Sequence, residues 1–249
     1  MIKLKTNEEI DRIRESCKLL ALTHKELGTI VCEGITTEEL DKFAYDFIVK
    51  NGGKPAFLNY MGYPATLCTS VNDVVIHGIP DKTKLKTGDV VSLDLGINLK
   101  GFFSDSAVTY IVGEGSREAE KLVSVTKEAL MLGIEQARAG NRINDISRAV
   151  FTHAKKFGYG VVRDFCGHGV GYSPHEEPQI PNYVGSGPNP RLKPGMILAI
   201  EPMINAGKDG VKILSDGWTV KTIDKSISAH WEHTIAVFND HTEILTILD

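Results

Sequence analysis

The sequence predicts an α+β fold of two like halves, with antiparallel strands at the centre and helices outside. Three observations carry this. The order helix, helix, strands occurs twice along the 249 residues. The segment from Leu85 to Asp94 recurs from Leu192 to Glu201, at an offset of 107 residues. Each copy reads as a glycine turn, an apolar strand and a terminal carboxylate. At nearly the same offset, Gly34-Ile35-Thr36-Thr37 precedes the second helix as Gly140-Asn141-Arg142-Ile143 precedes the fourth. The expected arrangement is one domain, residues 1–249, with halves of about 1–113 and 114–249 related by a pseudo-two-fold axis.

Taken in order, residues 7–29 show helical periodicity, with Ile10, Ile13, Cys17, Leu20 and Leu27 on one face. Asn7 followed by Glu8 and Glu9 supplies a helix start, because acids there complement the free amides and the helix dipole. A second helix follows Gly34, capped by Thr36 or Thr37, with Leu40, Phe43, Phe47 and Ile48 inward. Asn51-Gly52-Gly53 stops it. Short strands, turns and loops reach about Val112, and helices resume near 117–139 and 144–157. Strand-like runs lie at 159–165, 196–204, 211–214, 218–223 and 232–238. The second carboxylates also match. Asp105-Ser106-Ala107-Val108 opens a strand ending in Tyr110-Ile111-Val112, and Glu232-His233-Thr234-Ile235 opens one ending in Val237-Phe238.

With 28 Lys+Arg against 32 Asp+Glu, the net charge of −4 gives no reason to expect nucleic acid or an anionic membrane as partner. The first twenty residues lack the apolar core of a signal peptide, and no apolar run approaches the roughly 18 residues that span a bilayer. Cys17, Cys32, Cys68 and Cys166 are widely spaced and read as reduced thiols, which fits the cytoplasm.

The chemistry is in the acids. Asp94 ends Val90-Val91-Ser92-Leu93, and Glu201 ends Met196-Ile197-Leu198-Ala199-Ile200. Both runs read as core strands. An ionised carboxylate inside one costs several kcal/mol unless compensated. Lysine and arginine are absent from the immediate neighbourhood of either acid, which leaves a cation or a protonated acid. If the halves meet about a two-fold axis, Asp94, Asp105, Glu201 and Glu232 converge. Four neighbouring acids are not all neutral at pH 7 without a large penalty, so a pair of divalent cations fits better. Gly96 and Gly101 permit a hairpin that presents both aspartates. His168, between Gly167 and Gly169, is the natural imidazole for an oxygen-rich site suited to Mn, Fe, Co or Zn.

Other motifs fail on inspection. His175-Glu176-Glu177-Pro178-Gln179 lacks the second histidine of a zinc-protease helix, and proline breaks it. Gly169-Val170-Gly171 lacks the third glycine of a dinucleotide loop, since Pro174 stands there. Cys68 has no cysteine-protease motif around it. His230 and His233 flank Glu232, yet only the glutamate fits the ligand pattern.

Asp94, Asp105, His168, Glu201 and Glu232 resemble the five-ligand set of the pita-bread metallopeptidases, a group that includes methionine aminopeptidase, aminopeptidase P and prolidase. Cys68-Thr69-Ser70-Val71-Asn72, His77-Gly78-Ile79-Pro80, Gly167-His168-Gly169-Val170-Gly171, His175-Glu176-Glu177-Pro178 and Ile200-Glu201-Pro202 resemble the type I methionine aminopeptidases. The chain has no room for the extra N-terminal domain of prolidase, and it lacks the helical insertion of the type II enzymes. The resemblance implies a pita-bread fold holding two divalent ions of the Co, Mn, Fe, Zn or Ni class. Asp94 would chelate one, Asp105 and Glu232 would bridge both, and His168 and Glu201 would hold the other.

The resemblance also implies a function: removal of the initiator methionine from nascent, deformylated polypeptides whose second residue is small and uncharged. A water activated at the dinuclear centre would attack the Met–X bond. Glu201 would accept the proton, His175 would stabilise the carbonyl oxygen and His77 would contact the scissile amide. Tyr60, Tyr63, Cys68 and Trp218 resemble the methionine pocket. Phe57 and Pro174 stand at pocket positions where relatives often differ. Asn72, Val74 and Ser228 resemble a monovalent-cation site. The implied partners are the nascent N-terminus and the ribosome exit region, with the enzyme a monomer. Two competing readings are an X-Pro peptidase, separable by Met-Ala-Ser against Ala-Pro peptides, and a non-catalytic binding protein, separable by metal-dependent hydrolysis.

Overall fold

Thr6, not Asn7, caps the first helix. Its hydroxyl accepts the Glu9 amide while the Glu9 carboxylate accepts the Thr6 N–H at 2.8 Å, satisfying two otherwise free donors. In this computed structural model, which describes residues 1–248, α1 spans Asn7–Ile30. Thr36 and Glu39 repeat the device at the start of α2, Thr37–Lys50. Ser116 caps α3, Arg117–Gln136, and the Arg142 N–H donates to Asp145 at the start of α4, Ile143–Lys156.

The first half centres on the ten-residue strands Val90–Leu99 and Phe102–Ile111, longer than the short strands expected there. They form an antiparallel hairpin with Leu99 opposite Phe102. Cys68–Val71 and Lys54–Pro55 pair along the outer side of Val90–Leu99. The hairpin turns at Lys100-Gly101, where both residues adopt positive φ. Gly96 is not part of the turn. It lies within the strand opposite Asp105, where an added Cβ would come within 2.9 Å of the Phe57 ring.

The second half carries a five-stranded antiparallel sheet in the order Thr242–Ile244, His233–Val237, Ile197–Ile200, Gly167–Gly169, Glu176–Ile180. The expected strand 196–204 is two strands in different sheets. Ile197–Ile200 ends at Glu201, and Met203–Asn205 pairs with Ser228–His230 and Gly160–Val161. Pro202 sits at the break, where it lacks the N–H a continuous ladder needs. The run at 159–165 contributes only two strand residues.

The two sheets meet where the Asp105 N–H donates to Thr234 Oγ1 (3.2 Å) and that hydroxyl donates back to the Asp105 carbonyl (2.7 Å). The Glu232 N–H donates to Ala107 O at 3.0 Å beside them. Leu20 and Leu27 of α1 pack with Leu93, Leu95 and Ile97 of the first sheet. Ile10, Ile13 and Cys17 pack instead with Val170, Ile197, Ala199 and Ala236 of the second. One helix therefore spans both halves. Each such fully buried Leu or Ile contributes about 1.5–3 kcal/mol of hydrophobic stabilisation, an upper bound for a real unfolded chain.

Candidate metal centre and its pocket

Strand alternation builds the acidic cluster. Asp94 pairs with Ala107 and Asp105 with Gly96, so both aspartates point to one face of the hairpin. On the second sheet His233 pairs with Ile200, which sets Glu232 against Glu201, and His168 pairs with Ala199, two positions from Glu201 and so on its face. The side chains converge. Ligand-type atoms of Asp94, Asp105 and Glu232 lie within 4.8 Å of one another, as do those of His168, Glu201 and Glu232. Glu232 belongs to both triads. The five residues come together as the sequence pattern implies.

This cluster does not satisfy itself. Asp94 Oδ1, Asp105 Oδ1 and Glu232 Oε1 are buried with no hydrogen-bond partner. Among the described residues no lysine or arginine pairs with any of them. Burial, and then repulsion among the acids, pushes the carboxyls of Asp105 and Glu232 well above the usual range. Burial likewise raises Asp94 and Glu201. The His168 Nδ1–H donates to Gly169 O at 2.9 Å, leaving a bare Nε2 lone pair 3.4 Å from Glu201 Oε1 and 3.9 Å from Asp105 Oδ2. Burial holds that imidazole at a pKa of about 3, so it is neutral and forms no ion pair. Lone pairs facing lone pairs in a dry site repel unless cations stand between them. The donor set of four carboxylates and one imidazole suits divalent ions.

The cluster forms one wall of a cavity of about 360 Å³. Seven of the other expected active-site residues line the same cavity: Phe57, Tyr60, Tyr63, Cys68, His77, His175 and Trp218. The apolar part is tightly built. Tyr63 meets Trp218 edge-on at 5.2 Å, and its hydroxyl donates to the carbonyls of Leu67 and Gly78. His77 sits at φ 57°, a conformation non-glycine residues seldom adopt, with Phe165 5.8 Å and Trp218 6.1 Å away edge-on. The next residue must be glycine, because a Cβ on Gly78 would fall 2.2 Å from the Thr69 carbonyl oxygen. Burial lowers the His77 pKa to about 4, which makes it a neutral donor or acceptor. His175 stands exposed at the rim, stacked on Tyr60 at 5.4 Å and 15°, with the Tyr60 hydroxyl 3.3 Å from Nδ1.

Several residues were not singled out by the sequence patterns. Ile76, Asp164, Phe165, Cys166 and Met61 also line the cavity, three of them just before the Gly167-His168-Gly169 motif. Pro174 is buried outside the lining, so it is not a wall of this pocket. His230 was set aside as a neighbour of Glu232, yet its buried Nε2 has no hydrogen-bond partner and lies 3.5 Å from Glu201 Oε2. Its spacing of two from Glu232 was the available signal. Asn72 and Ser228 are adjacent, the Ser228 N–H donating to Asn72 O at 2.8 Å, and Val74 lies on the neighbouring strand Val74–Ile76. The Asn72 side chain is engaged with Asp89 and the Val90 amide.

The model of metallopeptidase family M24 matches residues 11–239. The chain belongs to family M24. Among relatives of this M24 chain, the methionine aminopeptidase of Treponema pallidum is 51% identical over 247 residues, covering 99% of this chain and 96% of that one. Methionine aminopeptidase 1 of Bacillus subtilis is 48% identical over 246 residues, covering 99% of each. Among solved structures, the methionine aminopeptidase of Rickettsia prowazekii superposes with a TM-score of 0.97 at 42% identity, covering 99% of this chain and all of that one. The prolidase of Pyrococcus furiosus superposes at 0.78 and 25% identity, with 99% of this chain matching 66% of the longer protein. The fold is the pita-bread fold, and this M24 chain is a hydrolase that binds divalent metal. No helix among the described residues is long and apolar enough to cross a membrane.

Proposed function

We propose that this enzyme removes the initiator methionine from nascent polypeptides with a small, uncharged second residue, after deformylation. The observation that carries the reading is an aromatic and sulfur-lined cavity of about 360 Å³ sharing a wall with an uncompensated carboxylate–imidazole cluster. Two divalent ions of the Co, Mn, Fe, Zn or Ni class are the expected occupants. Asp94 would hold one, His168 and Glu201 the other, with Asp105 and Glu232 between them; the two triads that share Glu232 support this division. Asn72, Val74 and Ser228 are the candidate holders of a monovalent ion.

When bound, divalent ions supply the Lewis acidity that makes a nucleophilic water available near neutral pH. The protein's own groups do the rest. Glu201 accepts the proton of that water and carries it to the leaving amine. Tyr60 O–H donation to His175 Nδ1 leaves the Nε2–H free to stabilise the scissile carbonyl oxygen as it becomes tetrahedral. His77, neutral and locked by its backbone, contacts the scissile amide. Tyr63, Cys68, Trp218, Phe57 and Tyr60 enclose the thioether, for which aromatic rings and sulfur are favourable partners. Carboxylates that hold cations would also place the substrate's free α-amine, so only N-termini are cleaved. The whole chain acts as one catalytic domain of like halves. It works as a monomer in the cytoplasm, near the ribosome exit.

The test is turnover of Met-Ala-Ser by chelated protein resupplied with Mn²⁺ or Co²⁺, with an Ala-Pro peptide as control. Metal-dependent release of methionine and no release from Ala-Pro is expected. A metal-saturated protein that cleaves no Met-peptide overturns the proposal, and preference for Ala-Pro assigns an X-Pro peptidase instead.

A further inference from the structure

The segment that carries His175 is held by the chain's first residues through a buried ion pair. Lys5 Nζ lies 2.6 Å from Glu176 Oε2, with side chains 2% and 6% exposed. The other Glu176 oxygen accepts the amides of Tyr172 at 2.6 Å and Ser173 at 3.1 Å. Lys5 is itself fixed. Its N–H donates to Gly195 O at 2.7 Å, and its ammonium sits 4.8 Å from the centre of the Tyr172 ring. The Tyr172 hydroxyl donates to Glu9 Oε1 at 2.8 Å, and Glu9 is the carboxylate that caps α1. Gly171 lies so close that a Cβ there would come within 2.9 Å of Lys5 Cε. Ser173 Oγ donates to the His175 carbonyl at 2.9 Å. Residues 171–176 are thus tied from both ends to residues 5–9.

A buried ion pair is a weak source of stability, since desolvation of both charges offsets their attraction. It is an effective way to fix a loop, because a carboxylate with both oxygens engaged has one place to sit. His175 is the next residue, and its ring already lies 5.4 Å from Tyr60 and 4.2 Å from His168. A displacement of Glu176 reaches it across one peptide bond.

We propose that Lys5 is a positioning residue: through Glu176 it holds His175 at the mouth of the metal centre. This rests on the role given to His175 above. The experiment uses the full chain loaded with Mn²⁺ and Met-Ala-Ser as substrate. Lys5→Met is expected to lower kcat by about 10- to 100-fold while KM and Mn²⁺ stoichiometry and affinity, read by calorimetry, stay near wild type. Lys5→Met leaves a lone buried carboxylate and can unfold the chain. Lys5→Met/Glu176→Leu removes both charges, and this folded variant is expected to show the same fall in kcat. The ¹⁵N ring signals of His175, recorded on the protein loaded with diamagnetic Zn²⁺ and assigned by their loss in His175→Asn, should shift or broaden in either variant. A folded, fully metallated variant with wild-type kcat and unmoved His175 signals overturns the proposal. So does a fall in kcat that only tracks lost metal, because the pair would then serve the ligands. If the wild type itself turns over no Met-peptide, the functional reading fails, and the ring signals alone decide the positioning claim.

Discussion

The two halves of the chain solve one geometric problem with different materials. Each sends a helix pair and then a strand toward the centre, entering that strand through a glycine at nearly the same angle, φ 92° at Gly88 and 89° at Gly195. Gly34 donates to Leu85 O at 2.8 Å in one half as Gly140 donates to Leu192 O at 2.9 Å in the other. The bridges Thr36 to Lys84 and Arg142 to Arg191 are matched in the same way. Beyond that the halves diverge. The first presents two short acids on an unbroken hairpin of two ten-residue strands. The second presents two longer acids, Glu201 just before Pro202 and Glu232 just before His233–Val237; its strand Gly167–Gly169, paired with Ile197–Ile200 as Cys68–Val71 is with Val90–Leu99, sets His168 beside the acids, and Glu176–Ile180 extends that sheet with His175 at the rim. Like scaffolds give the symmetric carboxylates, whereas the histidines differ: the first half brings His77 to the pocket and the second brings His168 and His175.

The largest expected effect tests the acids of the second half. Glu201→Ala should abolish Met-peptide turnover and weaken one of two metal-binding events in calorimetry; a near-normal rate would remove Glu201 from the chemistry. His175→Ala, outside the paired carboxylates of the two halves, should lower kcat by about 10²–10³ with metal content intact. Loss of metal there would make His175 a ligand and redraw the division between the halves.

The next effect belongs to the first half's contact with α1. His24 is buried, its Nε2–H donating to Ser106 O at 3.0 Å, and burial lowers its pKa from 6.5 to about 4. His233, lowered to about 4 mainly by burial, and the Tyr110 hydroxyl face it. The unfolded chain therefore takes up the proton first. The stability His24 provides is full above pH 6.5 and is lost as the pH falls toward 4. Urea unfolding at pH 7 and pH 5 should show about 2 kcal/mol more acid loss in the wild type than in His24→Gln, which keeps a donor and does not titrate. Equal losses would mean His24 is hydrated in solution.

The smallest effect compares the equivalent glycines. An added Cβ at Gly88 meets only Glu114 O at 3.8 Å, whereas at Gly195 it meets Lys5 O at 2.7 Å. Gly88→Ala should cost about 1–2 kcal/mol for its left-handed backbone. Gly195→Ala should cost about 1 kcal/mol more, because the second half is overlaid by the N-terminal segment. Equal costs measured by urea unfolding would show that this segment yields.

The apolar repeats were legible in the sequence, whereas the glycine strand and the contacts between distant residues were not. Ile10, Ile13, Cys17, Leu20 and Leu27 marked α1 because helix packing demands a 3.6-residue period. Asp94 and Glu201 stood out because an apolar strand ending in an acid is hard to explain without a cation. Gly167–Gly169 gave no strand signal, since glycine has no strand preference. It is a strand because backbones approach there so closely that Cβ atoms would sit 2.4 Å from the Ala199 and Glu177 carbonyl oxygens. The cap at Thr6 was misplaced by one residue because Asn7 is also a good cap and only the Glu9 side chain decides between them. Lys5 was invisible for a different reason: its partner lies 171 residues away, and nothing local marks a lysine for burial.

The reach of α1 across both sheets has a consequence for how the chain can be cut. A fragment ending at residue 113 keeps the cover of Leu20 and Leu27, but of the cluster around Ile10, Ile13 and Cys17 it keeps only Phe102 and Phe103 and loses Val170, Ile197, Ala199 and Ala236, leaving an apolar flank exposed. The complementary fragment lacks the same cover. Each half is thus an unfinished surface that the other completes.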